Sequence, residues 1–319
     1  VWKKSSLAVL LLCQLTPLAA AQQRYQAAEP HMGTLVKITL AVPNEAISQQ
    51  AFRAAFDRIA ELDRKLSNYN KNSELSRLRP GPPTPVTDDL FTLLKNALRI
   101  AERTHFAYDI TAGPLTQLWR QRQLPTPEAL ARARQATGSQ HLILRKGKIQ
   151  LTRPGMQLDP GGIAKGYAAE EALKVLYKMG IRQALVAVSG DLALGDPPPN
   201  QEGWRIEAQG RILTLSNCSV STSGSSEQFW IAPNGKRYSH IIDPRTGYPL
   251  ETTTSVTVVH KHGAWADALA TALTIQNHPI PIVCYTKACK KALATSTPAA
   301  APPQPSDPPS SPSQSPPAR

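Results

Sequence analysis

Residues 159–188 read DPGGIAKGYAAEEALKVLYKMGIRQALVAV, and this stretch decides the fold class. Gly161 and Gly162 open a helical pattern over 161–179, with Ala168, Ala172, Val175 and Met179 predicted on its inward face. Gly180 stops it. The run at 184–188 then reads as a buried strand, so the segment is a local αβ unit.

The same reading extends outward in both directions. Residues 34–41 alternate, Val36, Ile38 and Leu40 against Lys37 and Thr39, which predicts a half-buried strand. Pro43-Asn44 opens a helix carrying Phe52, Phe56, Ile59, Leu62 and Leu66 on one stripe. A second helix is predicted over 88–104, with Leu90, Leu94, Leu98 and Ala101 inward. Thr126-Pro127-Glu128 is a helix start, a capping hydroxyl followed by proline at the first position, and Gly138 ends that helix. Towards the C-terminus strands dominate, at 204–208, 212–215 and 254–260. Asn234-Gly235 between strand-like runs signals a two-residue type I′ hairpin. The last helix is expected at 264–275. The fold class is therefore α+β, a mixed sheet with flanking helices in one globular unit.

Of 319 residues, 41% are hydrophobic, ordinary for a soluble chain able to bury a core. The formal charge of +13 favours anionic partners, or simply a solvated surface. The basic residues are scattered and not interleaved with aromatics, so nucleic acid is not expected as a partner. Residues 1–21 read as a signal peptide: Lys3 and Lys4, an apolar run at 7–12, and Ala19-Ala20-Ala21 before Gln22. The apolar run is too short to span a bilayer. Cys13 offers a lipidation site without the small residue usual before it, and membrane association through the N-terminus stays open. Cys218, Cys284 and Cys289 remain after cleavage and support neither a disulfide framework nor a zinc site. Residues 281–319 form a divergent end, and from about 297 a Pro/Ser/Ala-rich tail holds nine of the 29 prolines and is expected to be disordered.

Four stretches place polar residues and glycines where a core needs neither. At 106–115, Asp109 precedes Thr111 and a Gly-Pro turn; alone this reads first as a loop with a capping Asp. At 159–166, Asp159 and Lys165 frame glycines before a helix, where free N–H groups favour phosphate oxygens. A plain glycine turn is the other reading, and the Walker spacing is absent. At 239–247, His240 has the chemistry of a general base near neutral pH, or of a satisfied strand-end histidine. At 265–273, Asp267 and Thr271 share one helix face, hard oxygen ligands suited to magnesium, or a cap and a back-bonded threonine.

Together, in this order, these motifs resemble the ApbE family of FAD:protein FMN transferases. The resemblance also takes in Met32-Gly33-Thr34, Leu66-Ser67-Asn68-Tyr69-Asn70 and Ser221-Thr222-Ser223-Gly224, and covers roughly 30–275 within a domain at 22–280. It implies FAD as substrate, held by Met32, Tyr69, Ala107, Tyr108, Asp109, Asp159, Lys165 and Ile242. It implies Mg2+ on the Gly162 carbonyl, Asp267 and Thr271. The FMN half would pass to a threonine or serine of an acceptor protein, a subunit of a membrane redox complex, with His240 taking the proton and AMP leaving. With the targeting segment, an exported, periplasmic location follows. An FAD pyrophosphatase and a non-catalytic flavin-binding protein are the alternatives. Three features depart from the family pattern: Pro160 for leucine, Ser189-Gly190-Asp191 where a Gly-Gly pair is common, and the sequence after Leu273, where loss of the closing elements would leave an unpaired sheet edge.

Overall fold

The computed structural model describes residues 22–225 and 228–299; the predicted signal peptide, Cys13 and the tail from residue 300 lie outside them. The alternation at 34–41 and the run at 184–188 become neighbouring strands of one seven-stranded sheet. Its strands are β1 (Gln23–His31), β2 (Thr34–Val42), β3 (Ala184–Val188), β4 (Asp191–Leu194), β5 (Cys218–Gly224), β6 (Ser255–His260) and β7 (Ile282–Cys284), adjacent in that order. All neighbours are antiparallel except β6 and β7, which run parallel. Helices fill the long connections: α1 (Glu45–Leu66), α2 (Glu74–Arg77), α3 (Asp88–Arg103), α4 (Gly113–Arg120), α5 (Pro127–Gln135), α6 (Ala164–Lys178), α7 (Gly263–Ile275) and α8 (Lys287–Ala294). Among the described residues no helix is long and apolar enough to cross a membrane.

The helix starts follow local chemistry. Asn44 Oδ1 accepts from the Ile47 N–H at α1, and Thr126 Oγ1 from the Ala129 N–H at α5, where Pro127 needs no donor partner. The α1 stripe Phe52, Phe56, Ile59, Leu62, Leu66 is buried throughout, worth about 1.5–3 kcal/mol per large side chain. Its upper part meets Val36, Ile38, Leu40, Val186 and Val188 on one sheet face, together with α6. The inward face of α6 is rotated from the expected one. Ala168 and Ala172 are buried as predicted, but Leu173 and Leu176 join them, while Val175 is half-buried and Met179 is 41% exposed. Gly180 at φ +80 ends the helix, and Met179 falls beyond its last turn, on the solvent side. Helix α7 lies over Val256 and Val258 on the same sheet face. The opposite face is covered by a hairpin, Trp204–Ala208 with Arg211–Leu215, whose Trp204, Ile206, Leu213 and Leu215 pack on Leu194, Val220, Val259 and Ile282.

Three further expectations are corrected. Asn234-Gly235 is not a two-residue type I′ turn: the strands Phe229–Ile231 and Arg237–Ser239 are joined by five residues. The Gly235 N–H donates to the Ala232 carbonyl, so Pro233 and Asn234 are the central pair, and Gly235 at φ +77 follows them. Proline at the first central position sets a negative φ there, incompatible with type I′. Next, the sheet is not left open after α7. Strand β7 pairs with β6, α8 covers it, and Thr297–Pro298 pairs with Arg211–Leu215, so the expected tail begins as strand. Finally, Cys284 and Cys289 are disulfide-bonded, and buried Cys218 is the free thiol among the described cysteines. Their five-residue separation is bridged because Cys284 ends β7 and Cys289 sits in the first turn of α8.

The helix layer is tied by charge. Arg58 of α1 bonds to Asp89 of α3 and to Glu171 of α6 at 2.9 Å, and Lys65 reaches Asp89 at 2.8 Å. Burial pushes the Asp89 carboxyl up, but Arg58 and Lys65 outweigh it and hold it at about 2. A depressed carboxylate contributes stability above its unfolded value near 4 and loses it as pH falls through about 2. Asp89→Asn is expected to cost about 1–2 kcal/mol in urea unfolding at pH 7, the network being partly solvated, and to cost almost nothing at pH 2. Thiol titration of the denatured chain from Gln22 onward should find one reactive thiol without reductant and three with it; three in both would remove the disulfide.

Candidate functional site

Helices α6 and α7 cross with almost no separation. A Cβ on Gly166 would stand 2.3 Å from the Gly263 carbonyl oxygen and 2.8 Å from the Asp267 Cβ. A Cβ on Gly263 would stand 2.1 Å from the Gly166 oxygen. Only glycine fits at either position. The contact aims Asp267 of α7 at the first turn of α6, where its Oδ2 accepts the Gly166 N–H at 3.1 Å and the Lys165 N–H also turns to it. No side chain of its own caps α6, so Asp267 does this from another helix.

One turn along α7, Thr271 faces Gly162: a Cβ there would be 2.9 Å from Thr271 Oγ1. Among the described residues the Thr271 hydroxyl has no hydrogen-bond partner, whereas Thr274 donates back to the Ala270 carbonyl at 2.9 Å. Gly162 and Thr271 are therefore in contact one turn from the Asp267 cap. The back-bonded reading fits Thr274 and not Thr271.

Lys165 extends over this group. Its Nζ donates to the Gly161 carbonyl at 3.1 Å and lies 3.3 Å from Asp191 Oδ2. Asp191 also accepts from Ser221, its direct cross-strand partner. Asp267 raises Lys165 beyond the ordinary lysine range; burial opposes this and Asp191 adds to it. Burial pushes Asp267 itself up to about 7, with Asp191 adding to the rise and Lys165 opposing it. Asp159 stands at the other side of the glycines. Its Oδ1 accepts from the Gly161 N–H at 2.9 Å and the Asn68 amide at 2.8 Å, and its Oδ2 from Arg120 at 3.1 Å.

The remaining predicted residues divide. Tyr108 is buried, its hydroxyl has no partner among the described residues, and burial with the charges of Asp267, Asp159 and Asp109 holds it well above the usual tyrosine range. Tyr69 is 77% exposed under the Arg120 guanidinium, 4.7 Å from its ring centroid. Met32, at φ +52 between β1 and β2, donates its N–H to Asp63 at 2.8 Å and packs half-buried on the helix-side core. Ala107 is fully buried. Asp109 accepts from the N–H and hydroxyl of both Thr111 and Ser139, 2.6–3.0 Å, so its carboxylate serves the loop. Ile242 packs with Trp119, Leu130 and Tyr238 in a satellite cluster. His240 is exposed at the end of strand Arg237–Ser239, its Nδ1 3.1 Å from the Gln228 carbonyl, and the adjacent Ile241 is buried in the main core.

The sequence reading missed Arg120, Asn68 as a hydrogen-bond donor, and the Asp191–Ser221 pair. Ser189-Gly190-Asp191 had registered only as a departure from Gly-Gly. The left-handed backbone there falls on Ser189, at φ +57, and Asp191 is the residue that matters to the charge balance. A groove of about 540 Å3 elsewhere, lined by Arg64, Arg77, Glu74 and Thr87 among others, contains none of these residues.

The ApbE family model matches residues 32–280. An FAD:protein FMN transferase from Vibrio cholerae is 31% identical over 266 residues, 77% of this chain and 79% of that one. One from Treponema pallidum is 30% identical over 307 residues, 85% and 84%. Among solved structures, the flavin transferase ApbE from Vibrio cholerae superposes with TM-score 0.72 at 31% identity, covering 80% of this chain and 87% of that one. The apo flavinyl transferase ApbE from Pseudomonas stutzeri gives 0.73 at 28%, covering 80% and 85%.

Gly166→Ala tests the crossing on which this geometry rests. It is expected to destabilise the protein by about 1–3 kcal/mol in urea melts, since backbone must move to admit a methyl group. Exposed Glu207→Ala, on the strand Trp204–Ala208, should cost well under that.

Proposed function

Since this chain belongs to the ApbE family and is a flavin transferase, we propose that it moves the FMN half of FAD onto a threonine or serine hydroxyl of an acceptor protein, in a magnesium-dependent step that releases AMP. The observation that carries this reading is the convergence of Gly162, Asp267 and Thr271 at the start of α6, beside Lys165 and Asp159.

The residues present fit a hard divalent cation. The donors would be the Asp267 carboxylate, the Thr271 hydroxyl and the Gly162 carbonyl, all oxygen, as magnesium prefers. Among the described residues the hydroxyl lacks a partner, and burial raises the carboxylate above its usual range. Mg2+ bound there supplies a Lewis acid and template for the pyrophosphate. Lys165 and the first-turn N–H groups of α6 bind and orient the anionic phosphates. The acceptor oxygen attacks the FMN-side phosphorus, a new P–O bond forms, and the P–O bond to the bridging oxygen breaks, with AMP departing. His240 takes the hydroxyl proton. Its Nδ1 at the Gln228 carbonyl acts as donor, which puts the basic lone pair on Nε2.

The acceptor is an exported or membrane-facing subunit of a redox complex, and the protein works in the periplasm. The Cys284–Cys289 disulfide supports an oxidising compartment, since such bonds persist outside the cytosol.

The test incubates the protein with FAD and Mg2+, with and without an acceptor domain bearing a target threonine, following AMP and acceptor mass. The expected result is a mass gain of one FMN that needs the metal and falls at least about 100-fold in Asp267→Ala. AMP without any mass gain would establish hydrolysis instead, and full activity of Asp267→Ala would overturn the metal assignment.

A further inference from the structure

The inference rests on the FAD-site reading above and concerns a residue outside the predicted set. Trp119, 4% exposed, donates its Nε1–H to the Gly247 carbonyl at 2.8 Å and packs on Tyr238 and Tyr248, with ring centroids 5.2 and 5.7 Å away. This fixes the last turn of α4. Arg120 follows directly, so its guanidinium is delivered to a defined place. There it makes two contacts at once: a bond to Asp159 Oδ2 at 3.1 Å and a stack over Tyr69, 4.7 Å from the centroid. The other carboxylate oxygen of Asp159 accepts from Asn68, the residue beside Tyr69. The contacts close a ring, Asn68 to Asp159 to Arg120 to Tyr69.

Tyr69 needs that ring. It is 77% exposed, and among the described residues its aromatic ring has no other ring or hydrogen-bond partner. An exposed tyrosine otherwise samples several rotamers, and a ligand stacking on it must bear the cost of ordering it. Arg120 covers one face and leaves the other to solvent. We propose that Arg120 is a positioning residue that holds Tyr69 as a preformed platform for the flavin ring, locked to Asp159 beside the phosphate-binding glycines. Arginine suits this where lysine does not, because a planar guanidinium stacks with its face while bonding through its edge.

A double-mutant cycle on FAD affinity tests the role, using the full protein with Mg2+ and reading quenching of flavin fluorescence. Arg120→Ala is expected to weaken FAD binding roughly five- to tenfold and to reduce the limiting quench. In a Tyr69→Ala background the same change should cost less than about twofold. Arg120→Lys, which keeps the charge, should stay close to the alanine variant. Equal loss in both backgrounds would overturn the proposal, placing Arg120 directly on the ligand; so would unchanged affinity in Arg120→Ala. Restoration by lysine would likewise show that charge, not the stack, is what matters. If the unmutated protein binds no FAD, the site reading fails and this inference with it, whereas FAD binding indifferent to Arg120 sinks this inference alone.

Discussion

The backbone contact between Gly166 and Gly263 is the constraint from which the site follows. Two helices normally stand 8–10 Å apart, held off by side chains. Here two missing Cβ atoms let the start of α6 meet the start of α7 directly. That closeness lets a carboxylate on α7 cap α6, and the α-helical repeat then sets Thr271 against Gly162 one turn further on. Moving either helix outward by a methyl radius would separate the cap from its N–H groups and the hydroxyl from the glycine together. The geometry is therefore all-or-none, which suits a site whose donors come from distant parts of the chain.

The charge arrangement is balanced on the same contact. Asp267 gains from the positive end of α6 and from Lys165, yet burial and the nearby Asp191 outweigh them and raise its pKa to about 7. Lys165 is shared between the two carboxylates and the Gly161 carbonyl, so it cannot fully neutralise either. One cation between two carboxylates leaves the pair in excess, and Asp267 carries the strain.

Much of this was legible in the sequence where the determinants are local. The stripe of α1, the Thr126-Pro127 start of α5 and the strands at 184–188 and 204–215 depend on neighbours a few residues away, and they formed as read. The Asp267–Thr271 pair was also readable, since helical spacing alone puts both on one face. What the sequence hid was non-local. The Ser221–Asp191 pair comes from strand register, and the Arg120–Tyr69 stack from how α4 docks against the 247 carbonyl. The C-terminal closure was hidden for another reason. The segment 282–298 is short, and its strand Ile282–Cys284 has only three residues, too few for a periodic pattern. Its stability comes from parallel pairing with β6, the Cys284–Cys289 bond and the burial of Cys289 in the core beneath the Trp204 hairpin.

Asp109 and Asp267 show why residue type and spacing do not by themselves assign a ligand. Both carboxylates are nearly excluded from solvent, at 7% and 4% exposure, and both lie in motifs that the family resemblance marks as site. They differ in what the protein gives them. Asp109 takes four donors from Thr111 and Ser139, which is close to the capacity of two oxygens. It is satisfied, and its role is to hold the 107–113 loop against the segment at 138–139. Asp267 takes backbone N–H groups at the start of α6, on a different helix from its own. Hydrogen-bond partners thus separate the two aspartates: one ties a loop to the segment at 138–139, and the other joins two helices.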